Sequence, residues 1–237
     1  MMRGIVRAMY LLDAKILFPH TRANMWSHVE PEILQSVGDA ARVHAIEVTQ
    51  VLVPACEGLS ERLAAPTAAM LDVGVGVAGS AIAMLQMWPK LRIVGIDPWA
   101  PSIALARENV ARASLSDRIE LREQGAETLE DENAFDLVWF ANPFIPERAI
   151  RAGLARCRKA LRPGGYIFVS GNNDGAPPAV AALFRLRTAQ WGGPVWSTAD
   201  AEAALRDEGY VGVRSLPTKP GALAALVVGQ APFAQTR

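Results

Sequence analysis

The chain has 237 residues, is 51% hydrophobic, and carries 24 basic against 24 acidic side chains. That length suits one α/β domain, alone or with a small appendage, and buries a core without disulfides or metals. A net charge of zero excludes a whole-chain field for coating polyanions, and 20% charged residues beside ample apolar content exclude disorder. Cys56 and Cys157 fit no paired metal spacing and read as buried thiols in a reducing compartment. Arg3 and Arg7 precede apolar residues, but Asp13 and Lys15 interrupt the run and no small-residue cleavage site follows. No apolar run reaches the roughly 18 residues of a membrane span. The expectation is a cytoplasmic protein.

Residues 1–66 read as helical, without strand alternation. Pro31 falls where a first helical turn begins. Ile33, Leu34, Val37, Ala40, Ala41 and His44 come after it at three- and four-residue spacing, and Pro54 kinks or ends the helix. The segment is too short for a substantial core of its own and is expected to pack on the remainder of the chain.

From Ala68 the rhythm becomes strand, turn, helix. The predicted strands are Met70–Gly74, Arg92–Asp97, Ile119–Glu123, Phe135–Ala141 and Tyr166–Ser170. The predicted helices are Gly79–Trp88, Pro101–Ala113 and Glu147–Leu161, the last stopped at Pro163-Gly164-Gly165. Such alternation implies a mostly parallel sheet with helices on both faces. Helices over Pro177–Gln190 and Thr198–Glu208 then precede strands Val211–Pro217 and Ala222–Gly229. The link between those strands is too short for a parallel crossover, so they should be antiparallel neighbours. The fold class is α/β: a Rossmann-like, seven-stranded, mostly parallel sheet with an antiparallel C-terminal strand pair and an N-terminal helical cover.

The first strand runs into Asp72-Val73-Gly74-Val75-Gly76-Val77-Ala78-Gly79, whose glycines let a ligand approach the main chain. Asp97, ending the second strand, is placed to accept both ribose hydroxyls of an adenosine. Loop and acid together point to a nucleoside cofactor. Gly74, Gly76 and Gly79 satisfy G-x-G-x-x-G, so a nicotinamide dinucleotide is a reading to weigh. Against it, Asp72 lies two residues before the first glycine, where it repels a pyrophosphate but welcomes a cationic amino acid cofactor.

With Leu161-Arg162-Pro163-Gly164-Gly165 before the fifth strand and the antiparallel end, the chain from about Ala68 to Gly229 resembles the class I S-adenosylmethionine-dependent methyltransferases. The resemblance implies S-adenosylmethionine as cofactor, with its methionine part at Asp72, Gly74 and Gly76. Asp97 would take its ribose, and Pro98 and Trp99 would flank the adenosine. Two departures stand out. Ala78 replaces the family's third glycine, and Gln124-Gly125-Ala126-Glu127 after the third strand puts no acid at the expected place, where Gln124 or a main-chain carbonyl near Ala126 would serve the adenine instead. Residues 67–237 then form the cofactor domain, and residues 1–66 cover the substrate.

Methyl transfer from a sulfonium needs alignment and exclusion of water more than a catalytic base. Asn142-Pro143-Phe144, ending the fourth strand, is similar to the N-P-P-Y/F motif of amide and exocyclic-amine methyltransferases. It lacks the second proline, so a turn and pocket wall competes with an amine clamp. Asn142 is a candidate for catalysis and for the cofactor alike. A metal-dependent reading would draw on Asn142 and Asn172-Asn173-Asp174, which offers one carboxylate where several hard ligands are needed; no metal is expected. His20 and His28, beside Trp26, are candidate bases, or else cap helices. Trp191 and Trp196 bracket Gly192-Gly193-Pro194 and either line an apolar pocket or anchor their helix. The expectation is methyl transfer to an O or N nucleophile of a small, partly apolar metabolite, without nucleic acid or membrane and with homodimerisation open. The alternatives are an NAD(P)-dependent reductase and a catalytically silent S-adenosylmethionine-binding protein.

Overall fold

The computed structural model describes residues 7, 10–11, 25–173, 175–217, 222 and 224–233. Seven strands form one sheet in the order β3-β2-β1-β4-β5-β7-β6. They are β1 (Ala69–Val73), β2 (Arg92–Ile96), β3 (Ile119–Arg122), β4 (Phe135–Phe140), β5 (Leu161–Asn172), β6 (Val211–Ser215) and β7 (Ala224–Gln230). β7 is antiparallel to both β5 and β6, and the short link between the last two strands accounts for the pairing with β6. The chain divides into two compact units. One takes in Ser27–Ala68 and Gly74–Gln124, the other Ala69–Val73 and the chain from Gly125 onward, together with Trp26.

In the first unit, α1 (Pro31–Ala41) opens at the proline and buries Ile33 and Leu34. It is followed by α2 (Val43–Glu47), a π-turn over Val48–Leu52, α3 (Val53–Ala55) and α4 (Leu59–Ala64). The π-turn answers Pro54. A proline ring collides with the carbonyl four residues earlier, and opening the ladder relieves that contact. The Val53 amide accordingly reaches back to the Val48 carbonyl, and the helix ends at Cys56 in extended backbone. α5 (Gly79–Met87) is buried on every side from Gly79 to Leu85, which is why its sequence shows no polar face. α1 packs on it where both helices are smallest: a Cβ added at Gly79 would lie 1.9 Å from the Gly38 carbonyl oxygen. α6 (Ala100–Arg112) joins β2 to β3, and its Asn109 donates to the Val77 carbonyl and exchanges bonds with Gln35.

In the second unit, β1 and β4 are parallel neighbours, with Asp72 opposite Trp139. β4 is buried at all six positions, as expected for a central strand covered on both faces. α7 (Glu147–Ala160) buries Ile150, Gly153, Leu154, Cys157 and Ala160 along one stripe. α8 (Pro178–Trp191) and α9 (Thr198–Asp207) follow β5, α9 starting with a capping box between Ser197 and Asp200.

One boundary corrects the sequence reading. Pro163-Gly164-Gly165 does not lie before the fifth strand but inside it, as a bulge between Leu161, opposite Phe135, and Tyr166, opposite Leu137. Arg162 pairs with buried Asp136, and Gly164 and Gly165 exchange main-chain bonds with Ala231 at 3.0 and 2.8 Å. Those partners are far away in sequence, so the turn composition was visible and the strand pairing was not. Among the described residues, no helix is long and apolar enough to cross a membrane.

Candidate functional site

The first unit assembles the glycine loop and its acid. After β1 the chain turns back through Gly74 (φ +79°) and Gly76 (φ +56°), and the Gly74 and Val75 amides both donate to the Ile96 carbonyl at the end of β2. Ala78, the departure from the family pattern, caps α5 at φ +65° and is fully buried. A methyl in that left-handed region costs about 1 kcal/mol and is accommodated. A Cβ added at Gly76 would meet nothing within 4 Å, so open space adjoins the loop backbone there.

Asp97 faces this loop. The Gly76 amide donates to its Oδ2 at 3.0 Å and the Trp99 amide to its Oδ1 at 2.8 Å. Burial raises the Asp97 carboxyl above its ordinary value, and the Trp99 and Gly76 amides partly offset this. The indole N–H of Trp99 donates to the His28 carbonyl at 2.7 Å, tying the N-terminal segment to the end of β2. The His28 imidazole stands 3.9 Å from the Glu30 carboxylate. Gly74, Gly76, Asp97, Trp99 and His28 are therefore neighbours, with Pro98 exposed between two of them and Gln124 half-buried in the loop after β3. His20 lies outside the described residues. His44 is held down to about 4 by burial, so its imidazole is neutral.

The second unit holds Asp72, Ala126 and Asn142. Asp72 is buried on β1, and Ala126 starts a 3₁₀ turn so close to α7 that Gly153 leaves no room for a side chain. Asn142 is 1% exposed and fully engaged with β5. Its amide donates to the Ser170 carbonyl at 2.8 Å, and its Oδ1 accepts from the Ser170 amide at 2.8 Å and hydroxyl at 3.0 Å. The Asn142 main-chain carbonyl accepts from the Ile145 amide. Gly193 sits over the same turn, where a Cβ would lie 2.2 Å from the Pro143 carbonyl oxygen. Of the residues weighed for a metal, Asn173 spends its amide on the Ala222 carbonyl and its oxygen on the Gly175 amide, and Asp174 lies outside the described residues.

An aromatic cluster went largely unread in the sequence. Phe144 stacks on Trp191, with centroids 4.5 Å apart and planes at 18°, and meets Trp26 edge-on at 5.3 Å and 86°. The Trp26 amide donates to the Trp191 carbonyl. The one signal was Trp191 followed by two glycines; nothing linked it to a tryptophan 165 positions earlier. Trp196 instead gives its carbonyl to the Asn172 amide.

Residues 70–165 match a family described as a methyltransferase domain. An L-tyrosine C(3)-methyltransferase from Streptomyces lavendulae is 34% identical over 156 residues, which are 61% of this chain and 41% of that protein. A release factor glutamine methyltransferase from Caulobacter vibrioides is 32% identical over 142 residues, 49% of each chain. The chain thus spans less than half the length of these two curated relatives. Among solved structures, human N-acetylserotonin methyltransferase in complex with SAM superposes with a TM-score of 0.66 at 17% identity, covering 96% of this chain and 67% of that one. The likeness to that solved structure is one of fold, and residues 70–165 carry the match to a methyltransferase domain.

Proposed function

We propose that this chain is a class I methyltransferase that moves a methyl group from S-adenosylmethionine to an oxygen or nitrogen of a small, partly apolar metabolite. The cofactor is S-adenosylmethionine, and it supplies a methyl already activated by the sulfonium, so that an acceptor lone pair takes the methyl and the sulfur keeps the bonding pair. The observation that carries the reading is the glycine loop with open space beside Gly76 and a half-buried carboxylate, Asp97, fixed against it by two amides. Each Asp97 oxygen receives one backbone N–H and retains lone-pair capacity for a ribose hydroxyl. Asp72, Gly74 and Gly76 hold the methionine part, Pro98 and Trp99 flank the adenosine, and Gln124 and the main chain at Ala126 serve the adenine.

His20 and His28 remain the proposed bases for an acceptor that must lose a proton. Asn142 we assign to positioning, because its side chain is committed to Ser170. Residues 67–237 form the catalytic domain in this reading, and residues 1–66 cover the substrate. The chain's two cysteines, both buried, favour a cytoplasmic setting, and the neutral charge favours a metabolite over nucleic acid. A homodimer is compatible with this reading.

Calorimetry tests it. S-adenosylhomocysteine, the demethylated product, should bind the purified protein. Binding of NADH with no response to S-adenosylhomocysteine would overturn the reading in favour of a reductase.

A further inference from the structure

The turn after β4 carries two features that methyl transfer as such does not use. The first is that its polar atoms are bonded or covered. Both ends of the Asn142 amide are bonded to Ser170, the Asn142 main-chain carbonyl accepts from Ile145, and Gly193 packs over the Pro143 carbonyl. An incoming planar amide or amine needs such acceptors, and here it would have to break the Asn142 bonds and displace Gly193 from the Pro143 carbonyl to reach them. The second is that its apolar atoms are gathered. Phe144 is stacked on Trp191 and edge-on to Trp26, and all three rings are only half-buried.

We infer that Trp26, Phe144 and Trp191 determine the specificity of the methyl-acceptor site, selecting a flat aromatic acceptor by its ring face instead of clamping an amide; this rests on the methyltransferase reading above. In open α/β sheets ligands lie outside the carboxyl ends of the strands, where the strand order reverses. Here that place is between β1 and β4, and Phe144 belongs to the segment leaving β4. A half-buried ring cluster offers stacking and edge contacts that reward another aromatic ring beyond the area it buries, and that a saturated ring of equal size cannot match. The jaws are fixed to each other. The Trp26 amide donates to the Trp191 carbonyl at 3.0 Å, and Gly193 allows the chain after Trp191 to close on the Asn142–Phe144 turn, where any side chain would collide.

The full chain, saturated with S-adenosylhomocysteine, is titrated with catechol, with cyclohexane-1,2-diol and with N-acetylglutamine, and read by saturation-transfer NMR. Catechol ring protons should receive saturation where the diol and the amide receive little. Phe144→Leu and Trp191→Leu should each lower the catechol signal about fivefold, while Trp191→Phe restores most of it. S-adenosylhomocysteine affinity should stay within about twofold throughout, since no ring of the cluster is assigned to the cofactor. The inference is overturned if the diol or the amide binds the unmodified protein as well as catechol does. It is equally overturned if catechol does not bind, or if both leucine variants leave its signal unchanged. Should those variants not fold, the three probes on the unmodified protein decide alone. Failure of S-adenosylhomocysteine to bind at all would instead overturn the function proposed above, and this inference with it.

Discussion

The turn after β1 and the turn after β4 follow parallel neighbouring strands, yet they handle their main-chain atoms in opposite ways. The first holds Gly74 and Gly76 in the left-handed region, leaves open space beside Gly76, and meets a carboxylate with capacity to spare. The second ties Asn142 to Ser170 at three points and closes Gly193 over the Pro143 carbonyl. A backbone that is open and partly satisfied is a place to bind a polar ligand. One whose polar atoms are bonded or covered holds its side chains still, and offers mainly those side chains for recognition.

Removing the acid from the open turn should have the largest effect. Asp97→Ala should weaken S-adenosylhomocysteine binding roughly hundredfold by calorimetry, because two charge-assisted bonds to ribose are lost. Unchanged affinity would mean that the carboxylate only caps the loop. The same group sets a pH dependence. Its carboxyl is raised by burial, so the charged form is disfavoured in the fold. As pH falls through the raised value towards the ordinary carboxylate range, the protein should gain stability relative to Asp97→Asn, and it should lose that gain as pH rises again. S-adenosylhomocysteine affinity should move the other way, falling as the carboxylate is protonated. Melting temperature and calorimetry across that range check both slopes.

Next comes the closed turn. Gly193→Ala places a methyl against main chain that cannot yield, and should cost about 2 to 3 kcal/mol in urea unfolding. Asn142→Ala leaves the Ser170 amide and carbonyl without the partner they have now, for about 2 kcal/mol, with cofactor affinity nearly unchanged. An Asn142→Ala protein of full stability that has lost only turnover would restore Asn142 as a catalytic group. The smallest effect belongs to Trp99→Phe, which keeps an aromatic ring but loses the bond to the His28 carbonyl, for about 1 kcal/mol.

Much of this contrast was legible in the chain. The strand–turn–helix rhythm placed β1, β2, β3 and β4 and their helices within a residue or two, because buried parallel strands and packed helices write continuous apolar runs. Gly74, Gly76 and Asp97 were readable because their chemistry is local to strand ends. The bulge at Pro163–Gly165 was not, since its partners Asp136 and Ala231 lie far along the chain. Nor was the fate of Asn142-Pro143-Phe144. The letters resemble an amine clamp, whereas the bonds to Ser170 and the approach of Gly193 come from β5 and from the end of α8.

By itself, then, the sequence determined the class of fold, the glycine loop, the acid that follows β2 and the neutral surface charge, all of which depend on period, residue type or spacing within a few positions. Only the tertiary structure decided which polar atoms stay available. Asp97 keeps spare capacity beside open space at Gly76, Asn142 spends its side chain on Ser170, and Trp26 reaches Phe144 and Trp191. The physical reason is that hydrogen-bond satisfaction and ring packing are properties of pairs, and the members of these pairs are joined by the sheet, not by the chain.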